Sequence, residues 1–244
     1  MCEMIIDAVS DLHGYLPLLT GGDLLIIAGD ITAHDDLKEW ATFFSWLKKQ
    51  DYKKKILVAG NHDNFLEVGF PKSTEESDSL KEVQSYLEEI GEFTEDDREC
   101  YEYLCDSGTE FEGLNIWGSP WSNWFHGVHP KCAAFMPRRS KIQRKFEKIP
   151  GDVDILITHS PPFGILDENN KRESCGSIYL TQMLDKRIKP KLHFFGHIHE
   201  QHGKELVFKR PGTGTENNTR CFNVSYVDEK YKPTNEVRRI VLCA

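Results

Sequence analysis

The chain has 244 residues, 39% of them apolar and 11% aromatic, enough to bury one substantial core, and no apolar stretch approaches the length that a membrane-spanning helix needs. Its formal charge is −9, but Glu75–Glu102 alone holds twelve acidic residues against Lys81 and Arg98, so the remainder is close to neutral. Short basic groups such as Lys53-Lys54-Lys55 and Arg138-Arg139 read as solvated surface, which argues against dedicated nucleic-acid binding.

In chain order, five short apolar runs end in polar, chemically loaded residues, the pattern of strands in a layered α/β fold whose carboxyl ends reach a ligand site. Met4–Val9 runs into Ser10-Asp11, and Leu24–Ala28 into Gly29-Asp30. Leu37, Trp40, Phe43, Phe44 and Leu47 then recur at helical spacing, predicting a crossover helix over 37–49. Ile56–Ala59 leads into Gly60-Asn61-His62-Asp63. An acidic insertion at about 72–105 places Leu80, Val83, Leu87 and Ile90 on one helical face, and Thr109–Gly113 with Leu114–Trp117 forms a hairpin about Glu112-Gly113. Ile155–Ile157 precedes Thr158-His159, and Leu192–Phe195 precedes Gly196-His197-Ile198-His199. The remainder is β-rich: Leu206–Phe208, Cys221–Val224 and Val237–Leu242. With no repeat, low-complexity tract or linker, residues 1–244 read as a single domain.

The polar exits carry the chemistry. Two hard divalent ions close together need a bridging carboxylate and a mixed set of oxygen and imidazole donors. Asp11 and His13 lie two residues apart beyond one strand, and Asp30 is the natural bridge. Asn61 adds an amide oxygen, and His159, His197 and His199 add imidazoles, with His197 and His199 on one side of an extended segment. Gly29, Gly60 and Gly196 are expected to let the backbone turn sharply so that the next side chain points at the metals, with no Cβ in the way. Taken singly, Asp11 and Asp30 would read as helix N-caps and His159 as a turn residue; together they read as ligands.

These five blocks, Asp11-x-His13, Gly29-Asp30, Gly60-Asn61-His62-Asp63, His159 and Gly196-His197-x-His199, resemble those of the calcineurin-like metallophosphoesterase superfamily. Gly118-Ser119-Pro120-Trp121, Thr158-His159-Ser160-Pro161-Pro162 and Lys232-Pro233-Thr234-Asn235 further resemble its brain metallophosphoesterase-domain (239AB) branch. The resemblance implies a four-layer αββα sandwich and a class III cyclic-nucleotide phosphodiesterase supported by two divalent ions, manganese first, with iron, zinc, magnesium or cobalt as alternatives. It implies one ion on Asp11, His13, Asp30 and His199, the other on Asp30, Asn61, His159 and His197, and attack by a water or hydroxide between them. His62 would be the catalytic acid that protonates the leaving alkoxide. Asp63 would shape its loop or hold a neighbouring imidazole.

Among the remaining residues, His126, His129 and Trp124 are candidates for the substrate mouth, although Trp121 and Trp124 could equally pack a core or anchor a loop. His34, His193 and His202 read as surface groups or supports behind ligands, and Cys175 as a structural thiol without an adjacent base. Seven cysteines, odd in number and without a C-x-x-C pair, fit reduced thiols in a cytoplasmic protein whose N-terminus lacks a leader pattern. The expected partner is a small phosphodiester such as a cyclic nucleotide, with a protein partner for the acidic segment as a further option. Two other functions stand beside this one. A phosphoprotein phosphatase usually carries Arg after the G-D block and G-N-H-E, whereas this chain has Ile31-Thr32-Ala33 and His62-Asp63. A metal-binding scaffold is disfavoured by His62 and by His197, where some branch members carry Gly.

Overall fold

Side chains alternate across each strand, and here the two faces of the strands feed two different cores. The computed structural model describes residues 3–67, 84, 85, 88, 89, 91, 94, 96–125, 128, 129, 132–210 and 214–243. Strands β1 (Glu3–Val9), β2 (Gly22–Ala28), β3 (Tyr52–Val58) and β4 (Glu102–Tyr103) pair in parallel, and β11 (Arg238–Cys243) closes the sheet antiparallel to β1, in the order β11-β1-β2-β3-β4. The second sheet has the order β5-β6-β7-β8-β10-β9: β6 (Leu114–Ser119), β7 (Ile155–Thr158), β8 (Leu192–Phe195) and β10 (Thr219–Asn223) are parallel, with β5 (Ser107–Phe111) and β9 (Glu205–Phe208) antiparallel at the edges.

Between the sheets, Ile6, Ala8, Leu24, Ile26, Ala28, Ile56 and Val58 meet Ile116, Ile155, Ile157, Leu192, Phe194 and Phe222. The alternate residues Val9, Leu25, Ile27 and Leu57 belong to an outer core with Trp40, Phe43, Phe44 and Leu47 of helix α1 (Leu37–Leu47). Leu156 and Phe195 of the second sheet join the same core with Ile142 and Phe146 of α2 (Arg139–Phe146) and Leu180 and Leu184 of α3 (Ile178–Lys186). The fold is an α/β sandwich of helix, sheet, sheet and helix. Among the described residues, no helix is long and apolar enough to cross a membrane, and the six described cysteines are unpaired.

The helix and the hairpin form for local reasons. Asp36 caps α1 by accepting the Glu39 N–H at 2.9 Å, while the Glu39 carboxylate accepts from His34 and Asp35 N–H at 2.8 and 3.1 Å. Glu112 and Gly113 both take left-handed φ, 49° and 75°, as a two-residue hairpin turn between β5 and β6 requires. Leu80, Val83, Leu87 and Ile90 of the acidic insertion lie outside the described residues. Within that segment Gln84 is buried and donates to the Tyr101 hydroxyl at 2.8 Å.

Candidate metal centre

All five loaded strand exits open at one end of the sandwich, and hydrogen bonds tie the two sheets together there. The Ser10 N–H donates to Val224 O at 2.9 Å and Tyr226 N–H to Ser10 O at 2.8 Å, while Gly196 N–H donates to His159 O at 2.9 Å and joins the β7 and β8 exits within the second sheet. The exit from β1 supplies Asp11 and His13, β2 supplies Asp30, β3 supplies Asn61 and His62, β7 supplies His159, and the loop after β8 supplies His197 and His199.

Their donor atoms gather into overlapping groups that can hold ions: Asp11, His13 and His199; Asp30, His159 and His197; and His13, Asp30 and His62. Asp30 faces both ways. Its Oδ1 is 3.3 Å from His159 Nε2 and accepts the His62 N–H at 2.8 Å, while its Oδ2 is 3.8 Å from His13 Nε2 and 4.0 Å from His62 Nε2. Asp11 Oδ1 lies 3.1 Å from His199 Nε2, and Asn61 Oδ1 lies 3.1 Å from His159 Nε2. His62, read from sequence as a proton donor, thus also stands within ligand reach of Asp30.

The surroundings fix the orientation of these donors. His159 Nδ1 donates to Ala28 O at 2.9 Å and His199 Nδ1 to Asp228 O at 3.1 Å, leaving each Nε2 turned to the centre. The Asn61 amide donates to Cys132 O at 3.1 Å, turning its oxygen inward. Asp11 accepts from the Ser10 hydroxyl and from the His197 N–H at 3.0 Å. Asp63 is fully buried and accepts from Gly60, Ile31 and Thr32 N–H at 2.8, 2.9 and 3.2 Å, so it fastens the third exit to the second.

Two expectations need correction. Of the three glycines, only Gly29 takes a left-handed φ, 98°. Asp11, His13, Asp30 and His197 take that region themselves, at 50°, 42°, 52° and 68°, a conformation uncommon outside glycine and reached most readily by Asn, Asp and His. The other half of the expectation, that a Cβ would be in the way, fits the close approaches there: a Cβ on Gly60 would stand 2.2 Å from Asp30 Oδ1, and one on Gly196 would stand 2.0 Å from Asp11 Oδ2. His197 and His199 do not share one side of an extended segment either. The left-handed His197 and the 3-10 turn His199–Gln201 break the chain, sending His199 to Asp11 and His197 to the His159–Asp30 group.

The electrostatics fit divalent cations. Burial holds His13 at about 4 and His197 at about 3, so both are neutral with a lone pair free at neutral pH. Among the described residues, buried His13 Nε2 has no hydrogen-bond partner, an orphaned atom that a metal ion would satisfy. Burial opposes charge on His159 too, yet the Asp30 and Asp11 carboxylates outweigh it and raise this imidazole to about 9. Without an ion, the carboxylates draw a proton in its place. The residues present therefore fit divalent metal ions, with Asp30 common to two of the three donor groups.

Beside this cluster lies a cleft of about 1000 Å³ whose walls include Asp30, Asn61, His62, His197 and His199. Trp124 and His129 line it, as do Phe125, Phe163 and Tyr231, while His126 lies outside the described residues. Trp121 does not: it is buried, donating from Nε1 to Asp106 at 2.7 Å beneath the Lys145 ammonium, and anchors the loop that carries Cys132. His193 is fully buried rather than at the surface, with Nε2 2.9 Å from the Thr158 hydroxyl. Sequence reasoning missed Tyr231, whose ring centroid is 4.8 Å from that of His13 and 5.2 Å from that of His199. The neighbouring Lys232-Pro233-Thr234-Asn235 motif was the only signal near it.

A family model described as calcineurin-like phosphoesterase matches residues 4–201. The human metallophosphoesterase domain-containing protein 1 is 34% identical over 237 residues, covering 93% of this chain and 67% of that protein. A Caenorhabditis elegans UPF0046 protein is 35% identical over 209 residues, covering 82% of this chain and 68% of its own length. Among solved structures, the protein TT1561 of Thermus thermophilus matches the fold with a TM-score of 0.54 at 14% identity, covering 98% of this chain and 99% of that one.

Proposed function

The chain belongs to the calcineurin-like phosphoesterase family, and we propose that within it this protein is a dinuclear, manganese-supported phosphodiesterase for small diesters, cyclic nucleotides among them. The observation that carries this reading is the cleft, where the donor cluster shares walls with large apolar side chains. Trp124, Phe125 and Phe163 line it and are 50%, 52% and 45% exposed, a cost in water that an aromatic or planar group of a substrate would relieve. Lys171 is the only lysine or arginine among the described lining residues, against Glu173, Glu200 and Glu229. That balance disfavours a long polyanion, which needs a basic track, and leaves the single charge of a small diester to be met by the divalent ions.

Asp11, His13, Asp30 and His199 would hold one ion, and Asp30, Asn61, His159 and His197 the other. Bound divalent ions supply Lewis acidity for the phosphoryl oxygens and lower the pKa of water. The protein's own part is orientation and proton transfer. Asp30 sets the separation of the two donor groups, and the Ala28 and Asp228 carbonyls fix the imidazoles. His62 is partly buried on the cleft wall and donates a proton to the departing alkoxide, an effect worth about 10²–10⁴-fold. Asp63 keeps the His62 loop against the Asp30 loop.

The test is hydrolysis of bis(p-nitrophenyl) phosphate and of 2′,3′- and 3′,5′-cyclic nucleotides by manganese-loaded protein, alongside Asp30→Ala and His62→Ala. Asp30→Ala is expected to abolish activity with loss of bound metal. His62→Ala is expected to lower kcat by about 10²-fold or more with both metals retained. Wild-type protein that binds two ions and cleaves no diester would refute the proposal.

A further inference from the structure

Tyr231 lies outside the family's five blocks, in the loop that follows β10, yet it reaches the heart of the site. Its ring meets His13 edge-on, with centroids 4.8 Å apart and an interplanar angle of 77°, and meets His199 likewise at 5.2 Å and 82°. The His62 ring is 6.4 Å away. His13 and His199 also touch each other at 5.3 Å, so the three rings form one packed triangle over Asp11.

The backbone is built to hold this ring in place. Tyr231 has a φ of 58°, a region that bulky residues rarely adopt unless their surroundings over-determine it. Asp228 provides that constraint. Its carboxylate accepts the Lys230 and Lys232 N–H groups, each at 2.9 Å, and its own N–H donates to Lys232 O at 2.8 Å. Asp228 O accepts both the Tyr231 N–H at 2.9 Å and His199 Nδ1–H at 3.1 Å. One carbonyl thus sets the angle of a ligand imidazole and the position of the ring packed against it.

Resting on the dinuclear reading above, we propose that Tyr231 is a positioning residue of the metal centre. Its ring clamps His13 and His199 in the orientation that binds the ion held with Asp11, while its exposed side forms part of the substrate cleft. His13 gives this clamp its purpose. Among the described residues its buried Nε2 has no hydrogen bond, so packing and the metal, rather than a hydrogen bond at that nitrogen, must hold the ring in register. The Asp30–Asn61–His159–His197 group makes no ring contact with Tyr231 among the described residues and should not depend on it.

The experiment is titration of metal-free protein with Mn²⁺, followed by electron paramagnetic resonance and calorimetry, for wild type, Tyr231→Phe and Tyr231→Ala. Wild type should bind two ions. Tyr231→Ala should weaken one of them by about 10–100-fold and leave the other within about twofold, with the metal-free melting temperature little changed because the side chain is half exposed. Tyr231→Phe keeps the ring and should restore wild-type affinity. Activity of Tyr231→Ala at low Mn²⁺ should fall and recover as Mn²⁺ is raised. The proposal is overturned if Tyr231→Ala binds both ions as wild type does, if it weakens both equally, or if Tyr231→Phe is as impaired as the alanine variant. Wild-type protein binding fewer than two ions would instead overturn the dinuclear reading, and this inference with it.

Discussion

Replacing Gly60 by alanine adds a methyl group where atoms of Asp30 and His159 already stand. The new Cβ would lie 2.2 Å from Asp30 Oδ1, 2.4 Å from Asp30 N and 2.8 Å from His159 Cε1. Gly60 does not have a left-handed φ, so the substitution carries no backbone penalty and its cost is steric. Ordinary contact begins about 1 Å farther out, and the neighbours cannot yield independently. Asp30 Oδ1 holds the His62 N–H at 2.8 Å, and His159 is fixed through Ala28 O at 2.9 Å. Overpacking of this kind costs about 1–3 kcal/mol, or about 2–12 °C in melting temperature for a chain of this size. The larger effect falls on function, because about 1 Å of misplacement in a reactive geometry can cost on the order of 10²-fold. The assay pairs Gly60→Ala with Gly118→Ala, whose Cβ would lie 2.4 Å from Leu104 Cβ and 2.8 Å from Val58 Cγ2, between the sheets. Both variants should melt earlier. Only Gly60→Ala should lose Mn²⁺ affinity and phosphodiesterase activity, each by about 10²-fold. If Gly60→Ala bound both ions with wild-type affinity, the close approach of Gly60 to Asp30 would not be what shapes the site.

Two further outcomes follow from the buried groups. Burial holds His193 at about 3 against an ordinary 6.5, so the folded chain refuses a proton that the unfolded chain accepts. Stability from this residue is complete above pH 6.5 and declines by about 1.4 kcal/mol per unit as pH falls towards 3. In urea unfolding of metal-free protein between pH 6 and 4, His193→Gln should flatten the slope of stability against pH by one proton; an unchanged slope would contradict the assignment. Chelation should remove activity and lower the melting temperature, since ions held at about 1,000 times their Kd add about 4 kcal/mol, or about 8–16 °C. Manganese should restore both, and a melting curve indifferent to chelator would argue against bound ions as part of the folded state.

The sequence alone determined the described strands other than β4, the crossover helix, the hairpin and the order of the donor residues, because each is written in local pattern; the two-residue β4 falls in the insertion read as helical and exists only through its pairing with β3. Apolar runs such as Leu24–Ala28 fix where a strand lies, and the residue after the run fixes what arrives at its end. Leu37, Trp40, Phe43, Phe44 and Leu47 specify a helix by spacing, and Glu112-Gly113 specifies a turn. Tertiary structure decided how those ends meet. That His199 turns to Asp11 while His197 turns to His159 depends on a backbone break imposed by the packed site, not on the spacing of two histidines. Gly60 and Gly196 owe their identity to side chains from Asp30 and Asp11, contacts that no local pattern encodes. Asp63 was legible as a support for its loop, but its three backbone donors come partly from the neighbouring exit at Ile31 and Thr32. Tyr231 is the extreme case: 218 residues separate it from His13, and only the parallel placement of β10 beside β8, with the sheets joined at Ser10 and Val224, brings its ring onto that imidazole. Local sequence sets which groups leave each strand; the space left by neighbouring strands sets what those groups can touch.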